Sequence, residues 1–271
     1  MNNECKVVLL TGGSSGIGAE TARLLAAAGM TVYAASRRGT AGCDSGNVIP
    51  IKLDVNDEEA TKAAVDEIIS KSGRLDAVIV NAGNGIAGAI EDTSDEEARF
   101  QFETCFFGAL KTVRACLPVF RRQNSGRIVT VTSVAAVVPL PYQGLYSSVK
   151  SALLTFTEAL AIELKGSGIQ CCSILPGDTA TGFTGARRFT EASGREDSPY
   201  REKFSAYLRK IEHDELGGMP SSRIAKAVLR QLRRRRMAIR VTPRIDYKAV
   251  GLLVRLLPSK VKLWIIGLLY N

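Results

Sequence analysis

Along the chain, short apolar runs alternate with longer segments in which apolar residues recur every three or four positions. Val7–Leu10, Thr31–Ala35, Val48–Leu53, Leu75–Val80, Arg127–Thr132 and Ile169–Leu175 are of the first kind and read as strands. Gly16–Ala28, Asp57–Lys71, Glu96–Gln123 and Tyr146–Lys165 are of the second kind and read as helices. Gly29 suits the stop of the first helix, and the acidic residues opening Asp57–Lys71 suit a helix N-terminus. Strands that are apolar on both faces, each followed by a helix, predict an α/β fold. Its core is a doubly wound parallel sheet of about seven strands with helices on both faces. Cys171 and Cys172, adjacent in the last of these strands, are expected on opposite faces.

Composition changes this picture little. The 271 residues are 45% hydrophobic and 23% charged, which suits one large domain over 1–271. The first strand starts so early that no signal peptide is expected, and no C-x-x-C pattern links the six cysteines. Reduced thiols and a cytoplasmic location are expected. With one histidine, no metal site is expected. The net charge of +9 is concentrated towards the C-terminal end and includes Arg233-Arg234-Arg235-Arg236. Such a run suits nucleic acid, an anionic membrane or a solvated helix end. No nucleic-acid motif accompanies it, so no nucleic-acid partner is expected.

The polar and glycine positions that carry chemistry fall just after the strands, where ligands bind in a Rossmann-like sheet. After the first strand comes Thr11-Gly12-Gly13-Ser14-Ser15-Gly16-Ile17-Gly18, which opens a helix. Glycines there allow a tight turn and close approach of backbone to a pyrophosphate, which the helix N-terminus attracts. Gly12, Ser14, Ser15, Gly16, Ile17 and Gly18 are the candidate contacts. The second strand ends Ser36-Arg37-Arg38, with no carboxylate to accept the ribose hydroxyls of NAD. An arginine pairs with a 2′-phosphate instead, so NADP(H) is the expected cofactor; the other reading makes both arginines loop surface. Tyr146 and Lys150 are one turn apart on one helix face. A phenol gives up its proton readily only beside a cation, which is what Lys150 offers.

Thr11–Gly18, Asn81-Ala82-Gly83, Ser133, Tyr146, Lys150 and Pro176-Gly177 occur in that order. On these residues the chain resembles the short-chain dehydrogenase/reductase family, from about residue 5 to residue 182. The resemblance implies an NADP-dependent oxidoreductase acting on CH–OH donors, with Ser133, Tyr146 and Lys150 as its catalytic set. It implies cofactor contacts at Asp54 and Val55 (adenine), at Asn81, Ala82 and Gly83 (the cleft), at Pro176 and Gly177, and at Thr179 (the carboxamide). Thr181 is expected near the diphosphate. The family commonly carries an Asn in its long helix as part of a proton relay. Cys105 stands there in this chain, in a packing or a reactive role. A homodimer or homotetramer is expected by the same analogy.

Residues 178–220 are expected to form a substrate lid. Its aromatics either face a lipophilic substrate or only pack the lid down. Pro139, Tyr142, Gln143 and Phe183 are the candidate pocket residues. Residues 245–271 form a hydrophobic and basic extension, divided by Pro258 into two short amphipathic helices. These suit a membrane surface, a cover over the pocket or a dimer contact. The first expectation for the substrate is a hydroxysteroid. The alternatives are a long-chain lipid ketone of the 3-ketosphinganine kind, retinol, or a non-enzymatic NADP-sensing role on the same fold.

Overall fold

The computed structural model describes residues 5–270, and the side chains of Leu252, Arg255 and Tyr270 lie outside that description, as does Asn271 at the end of the expected extension. Seven parallel strands form the central sheet: β1 (Val7–Thr11), β2 (Thr31–Ser36), β3 (Val48–Lys52), β4 (Ala77–Val80), β6 (Gly126–Val131), β7 (Ile169–Ile174) and β11 (Arg240–Val241). Their order across the sheet is β11-β7-β6-β4-β1-β2-β3. Two short strand pairs lie outside it: β5 (Ile86–Ala87) with β9 (Arg188–Phe189), and β8 (Thr179–Ala180) with β10 (Met219–Pro220). The helices are α1 (Gly16–Ala27), α2 (Glu58–Ser72), α3 (Asp95–Phe102), α4 (Gly108–Gln123), α5 (Gly144–Glu163), α6 (Phe183–Ala186), α7 (Arg201–Leu216), α8 (Ser221–Arg233), α9 (Ile245–Leu256) and α10 (Ser259–Tyr270).

Alternate strand residues enter two separate cores, because successive side chains point to opposite faces. Leu9, Ile128 and Cys171 join Ile68 of α2, Val113 and Phe120 of α4 and Leu160 of α5. Leu10, Val129 and Cys172 join Leu25 of α1 and Val228 and Leu232 of α8 on the other face. The two adjacent cysteines therefore part as the strand period demands. Burial pushes both thiols up to about 12, so they stay protonated in the core.

The chain runs outward from β1 through β2 to β3, then crosses back to β4 on the other side of β1. A crevice opens where the direction reverses, beyond the carboxyl ends of β1 and β4. Gly29 closes α1 with φ +86°, the left-handed conformation that glycine adopts without a Cβ penalty.

Two element boundaries differ from the sequence pattern. The expected single helix over 96–123 is interrupted by a π turn, Glu103–Phe107, between α3 and α4. One extra residue per turn swings Cys105 inward against Asn84, while Thr104 meets Asn56 and Lys111 reaches back to Glu103. Helix α5 starts at Gly144 rather than at Tyr146 and ends before Lys165, so Tyr146 and Lys150 sit in its first two turns.

Segment 178–220 is closed on itself by the β8–β10 pair, and it is stitched to the body by the β5–β9 pair and by Ser198 and Tyr200, whose hydroxyls donate to Asp92 and Glu91. The expected two helices of the extension are α9 and α10. Ile266 of α10 is buried with Val134 and Val138, and Val254 of α9 packs alongside.

Candidate active site at the carboxyl ends of the strands

β1 delivers the chain to the glycine turn. Gly12 and Gly16 have φ of +69° and +51°. A Cβ at Gly18 would lie 1.9 Å from the Gly12 carbonyl oxygen, so only glycine allows α1 to start this close to the turn. Ser15, at the N-cap, makes no side-chain bond to α1, and its first turn holds no acidic residue. The N–H groups of that turn and the positive end of the helix are thus left for an anion. This cradle fits the pyrophosphate of a dinucleotide.

The turn is locked across the crevice from β4. Thr11 Oγ1 accepts hydrogen bonds from the Asn81 and Ala82 amides at 3.0 and 3.1 Å. Asn81 Nδ2 donates to the carbonyls of Thr11 and Gly12, both at 3.1 Å. Thr11 is fully buried and was not among the expected contacts; its place just before the first glycine was the signal. Thr181 stands on the open side of the turn: a Cβ on Gly16 would come 3.4 Å from Thr181 Cβ.

At the end of β2, Arg37 and Arg38 are exposed. Ser36 is turned into the following loop, where its hydroxyl donates to the Thr40 carbonyl at 2.9 Å and accepts from the Thr40 amide. That loop folds back on the glycine turn through Gly42, whose amide donates to Gly13 at 3.2 Å. Asp54 is exposed and its carboxylate accepts from the Asn56 amide. Val55 is buried against the start of α4, where a Cβ on Gly108 would lie 2.7 Å from its Cγ2.

Ser133 lies two residues past the end of β6 and caps the turn Val134–Ala136, its Oγ accepting from the Ala135 amide at 3.1 Å. Ser151 of α5 donates to the Ala136 carbonyl, which holds α5 against that turn. Lys150 is buried, and its Nζ donates to the Val131 carbonyl at the end of β6 at 3.1 Å. The same Nζ stands 5.7 Å from the centre of the Tyr146 ring. Tyr146 and Lys150 therefore stand at the end of the strand that leads into Ser133. A Cβ on Gly83 would come 3.8 Å from Lys150 Nζ and 3.4 Å from Cys105 Sγ, so Gly83 keeps the cleft open beside the ammonium.

Behind Gly83 lies a buried polar knot that the sequence pattern did not reveal. Gln101 is fully buried; its Nε2 donates to Asn84 Oδ1 at 2.9 Å and to Cys105 Sγ at 3.3 Å, and its Oε1 accepts from the Ile86 amide at 2.7 Å. Cys105 is itself almost fully buried, which matches the packing role. Gln101→Leu would leave the Ile86 amide without its partner and the Asn84 oxygens with only the weak Cys105 thiol as donor. It is expected to cost about 3 kcal/mol, a drop of roughly 6 °C or more in Tm for a chain of this size. Thermal melting checks this, and an unchanged Tm would refute it.

The expected pocket residues separate. Phe183 stands beside Tyr146, ring centres 5.9 Å apart, and against Gly85. Tyr142 adopts φ +55° and turns to α7, where it meets Phe204 and Tyr207 at 5.6 and 5.4 Å. Gln143 is buried and donates to the Tyr207 hydroxyl at 3.0 Å, so it fastens α7 to the body. Pro139 is exposed. Of the two readings of the lid aromatics, packing holds for the buried Phe204 and Tyr207. Thr179 is buried and its hydroxyl donates to the Gly177 carbonyl at 2.7 Å. Pro176 accepts from the Val134 amide. Gly177 is covered on its Cα side by Tyr247 of α9, whose ring lies 2.3 Å from a Cβ built there. The Tyr247 hydroxyl donates to the Asp178 carboxylate and accepts from its amide, and burial with that carboxylate pushes the phenol up from its ordinary value.

With this geometry in view, the comparisons agree. A family model described as short chain dehydrogenase matches residues 6–192. The chain is 36% identical over 260 residues to the 3-ketodihydrosphingosine reductase of Bacteroides thetaiotaomicron, covering 96% of this chain and 93% of that protein. A short-chain dehydrogenase from Streptomyces avermitilis superposes with a TM-score of 0.82 at 31% identity, over 93% of this chain and 95% of that one. One from Burkholderia cenocepacia, solved in complex with NADP, superposes with a TM-score of 0.73 at 25% identity, over 94% and 95%. The chain belongs to the short-chain dehydrogenase/reductase family and is an oxidoreductase of that family.

Proposed function

We propose that this protein interconverts a long-chain lipid ketone and its secondary alcohol with NADP(H), in the manner of a 3-ketosphinganine reductase. The observation that carries the reaction class is the Tyr146–Lys150 pair at the end of β6, next to Ser133 and open to the cleft at Gly83. Support for the substrate class comes from the likeness to the 3-ketodihydrosphingosine reductase over nearly the whole chain. The apolar ring of Phe183 beside Tyr146 points the same way.

In the reducing direction Tyr146 donates its hydroxyl proton to the carbonyl oxygen as charge develops there, and in the oxidising direction it takes the proton back. Ser133 donates a hydrogen bond to the same oxygen and stabilises its charge. Lys150 is held by Val131, which leaves its other N–H donors for the Tyr146 hydroxyl and the ribose of the cofactor. A bound NADP(H) would supply the hydride in reduction or take it up in oxidation; the glycine turn and α1 would hold its diphosphate, and Arg37 its 2′-phosphate. Segment 178–220 acts as the lid that excludes water, with Phe183 as its contact over Tyr146.

The test is NADPH consumption with a long-chain 3-keto amine, a keto-steroid, retinal and a small polar ketone. Each buried methylene is worth about 0.8 kcal/mol, so shortening the lipid chain by about four carbons should cost on the order of a hundredfold in kcat/KM. Preference for the keto-steroid would return the substrate to the hydroxysteroid class. Tight NADPH binding with no turnover on any ketone would instead favour a cofactor-sensing role.

A further inference from the structure

We propose that α9 and α10 together form a surface that lies on anionic lipid bilayers and holds the active-site mouth at the membrane. The inference deepens the lipid-substrate reading above, and its test is read without turnover.

The two helices have an inner and an outer side. The inner side is fastened beside the catalytic strand ends: Ile266 is buried with Val134 and Val138, residues just past Ser133, and Tyr247 closes on Gly177 and Asp178. The outer side leaves large apolar groups in water. Leu256 is 74% exposed and Trp264 65%, joined by Leu253, Leu263, Leu268 and Leu269. Leu253 and Leu256 are one turn apart on α9, as are Trp264 and Leu268 on α10. A run of exposed leucines with the chain's one tryptophan, set on two adjoining helices, is a surface built to be covered.

Charge decides what covers it. Lys248, Lys260 and Lys262 flank the apolar groups. Asp246 is the one acidic residue between positions 245 and 270, and Arg244 pairs with it. The surface is thus apolar and cationic, on a chain of net charge +9. A second copy would bring the same positive charge to meet it, whereas an anionic bilayer complements both the charge and the apolar groups. Each helix is 12 residues long, too short to span. Among the described residues no helix is long and apolar enough to cross a membrane. Helices of this kind lie in the interface, where tryptophan is favoured. Because Ile266 contacts Val134 and Val138, a bilayer on the outer side would sit about one helix diameter, roughly 10 Å, from the turn that begins at Ser133. A long-chain ketone could then pass from lipid to site without crossing water.

Trp264 makes the test direct, since all tryptophan emission comes from this surface. The full chain is titrated with phosphatidylglycerol/phosphatidylcholine vesicles and with pure phosphatidylcholine vesicles. The expected result is a blue shift and protection from acrylamide quenching on the anionic vesicles, weakened by high salt. Each lysine at an anionic surface contributes roughly fivefold to partitioning, so K260Q/K262Q should bind roughly 25-fold more weakly. Leu256→Ser with Leu268→Ser should also weaken binding while leaving Tm and turnover of a soluble ketone unchanged. Emission and sedimentation unaltered by either vesicle would overturn the proposal. So would a blue shift that appears without lipid, rises with protein concentration and tracks a dimer mass, which would make the surface a contact between copies. Vesicle binding without turnover of any lipid ketone would uphold the surface and sink the substrate reading alone.

Discussion

Tyr146→Phe is expected to lower kcat by roughly 10²- to 10⁴-fold while NADPH binding and Tm stay near their original values. The size follows from losing the group that moves the proton at the carbonyl oxygen. The variant is clean because the benzene ring remains. Its contact with Phe183 at 5.9 Å and its place beside the Lys150 ammonium do not depend on the hydroxyl. Lys150 also keeps its own anchor on Val131, so the cofactor side of the site is undisturbed. The decisive comparison is single-turnover kinetics beside a direct NADPH titration. Turnover within about tenfold of the original would remove Tyr146 from the acid/base role. Loss of NADPH binding together with turnover would mean that the ring, not the proton, is what the site needs.

Arg37→Asp is expected to lower kcat/KM with NADPH by roughly ten- to a hundredfold, the range for a lost hydrogen bond to a charged group. It should raise kcat/KM with NADH, because a carboxylate at the end of β2 accepts the ribose hydroxyls. Arg37 is exposed and far from any packed contact in the core, so the exchange should leave stability almost unchanged. The exposure also predicts a salt effect: the preference for NADPH should narrow as ionic strength rises. The ratio of kcat/KM values for the two cofactors is the readout. An unchanged ratio would show that Arg37 is loop surface, and the phosphate contact would then pass to Arg38 or to the Thr40–Gly42 loop that folds over the glycine turn.

The sheet was legible because a strand covered on both faces must be apolar at every position. β4 shows this plainly, with all four residues apolar and buried. The separation of Cys171 from Cys172 follows from the same period and needs no tertiary information. The glycine turn was legible for a backbone reason: a positive φ and a carbonyl 1.9 Å from a would-be Cβ leave one residue type, so the need is written as Gly. Likewise the Tyr146–Lys150 spacing is a property of one helix.

Other features depend on what a segment meets in space. The π turn at Glu103–Phe107 leaves the apolar period intact on both sides, and what selects it is the fit of Cys105 to Asn84 and of Thr104 to Asn56. Gln101 looks like any polar helix residue until Asn84 and Ile86, brought in by the end of β4 and by β5, enclose it. The seventh strand, Arg240–Val241, is two residues long and exists because Ser173 and Ile174 offer an edge to pair with. Sequence by itself therefore determined the parallel sheet, the turn and the helix that carries Tyr146 and Lys150, since each rests on local periodicity or on a steric limit at one residue. Only the tertiary structure decided that Gln143 fastens α7, that Phe183 stands over Tyr146, and that Tyr247 and Ile266 tie the basic, apolar extension to the turns around Ser133. Those contacts join residues far apart in the chain, and no local pattern encodes which distant side chain will fill a given space.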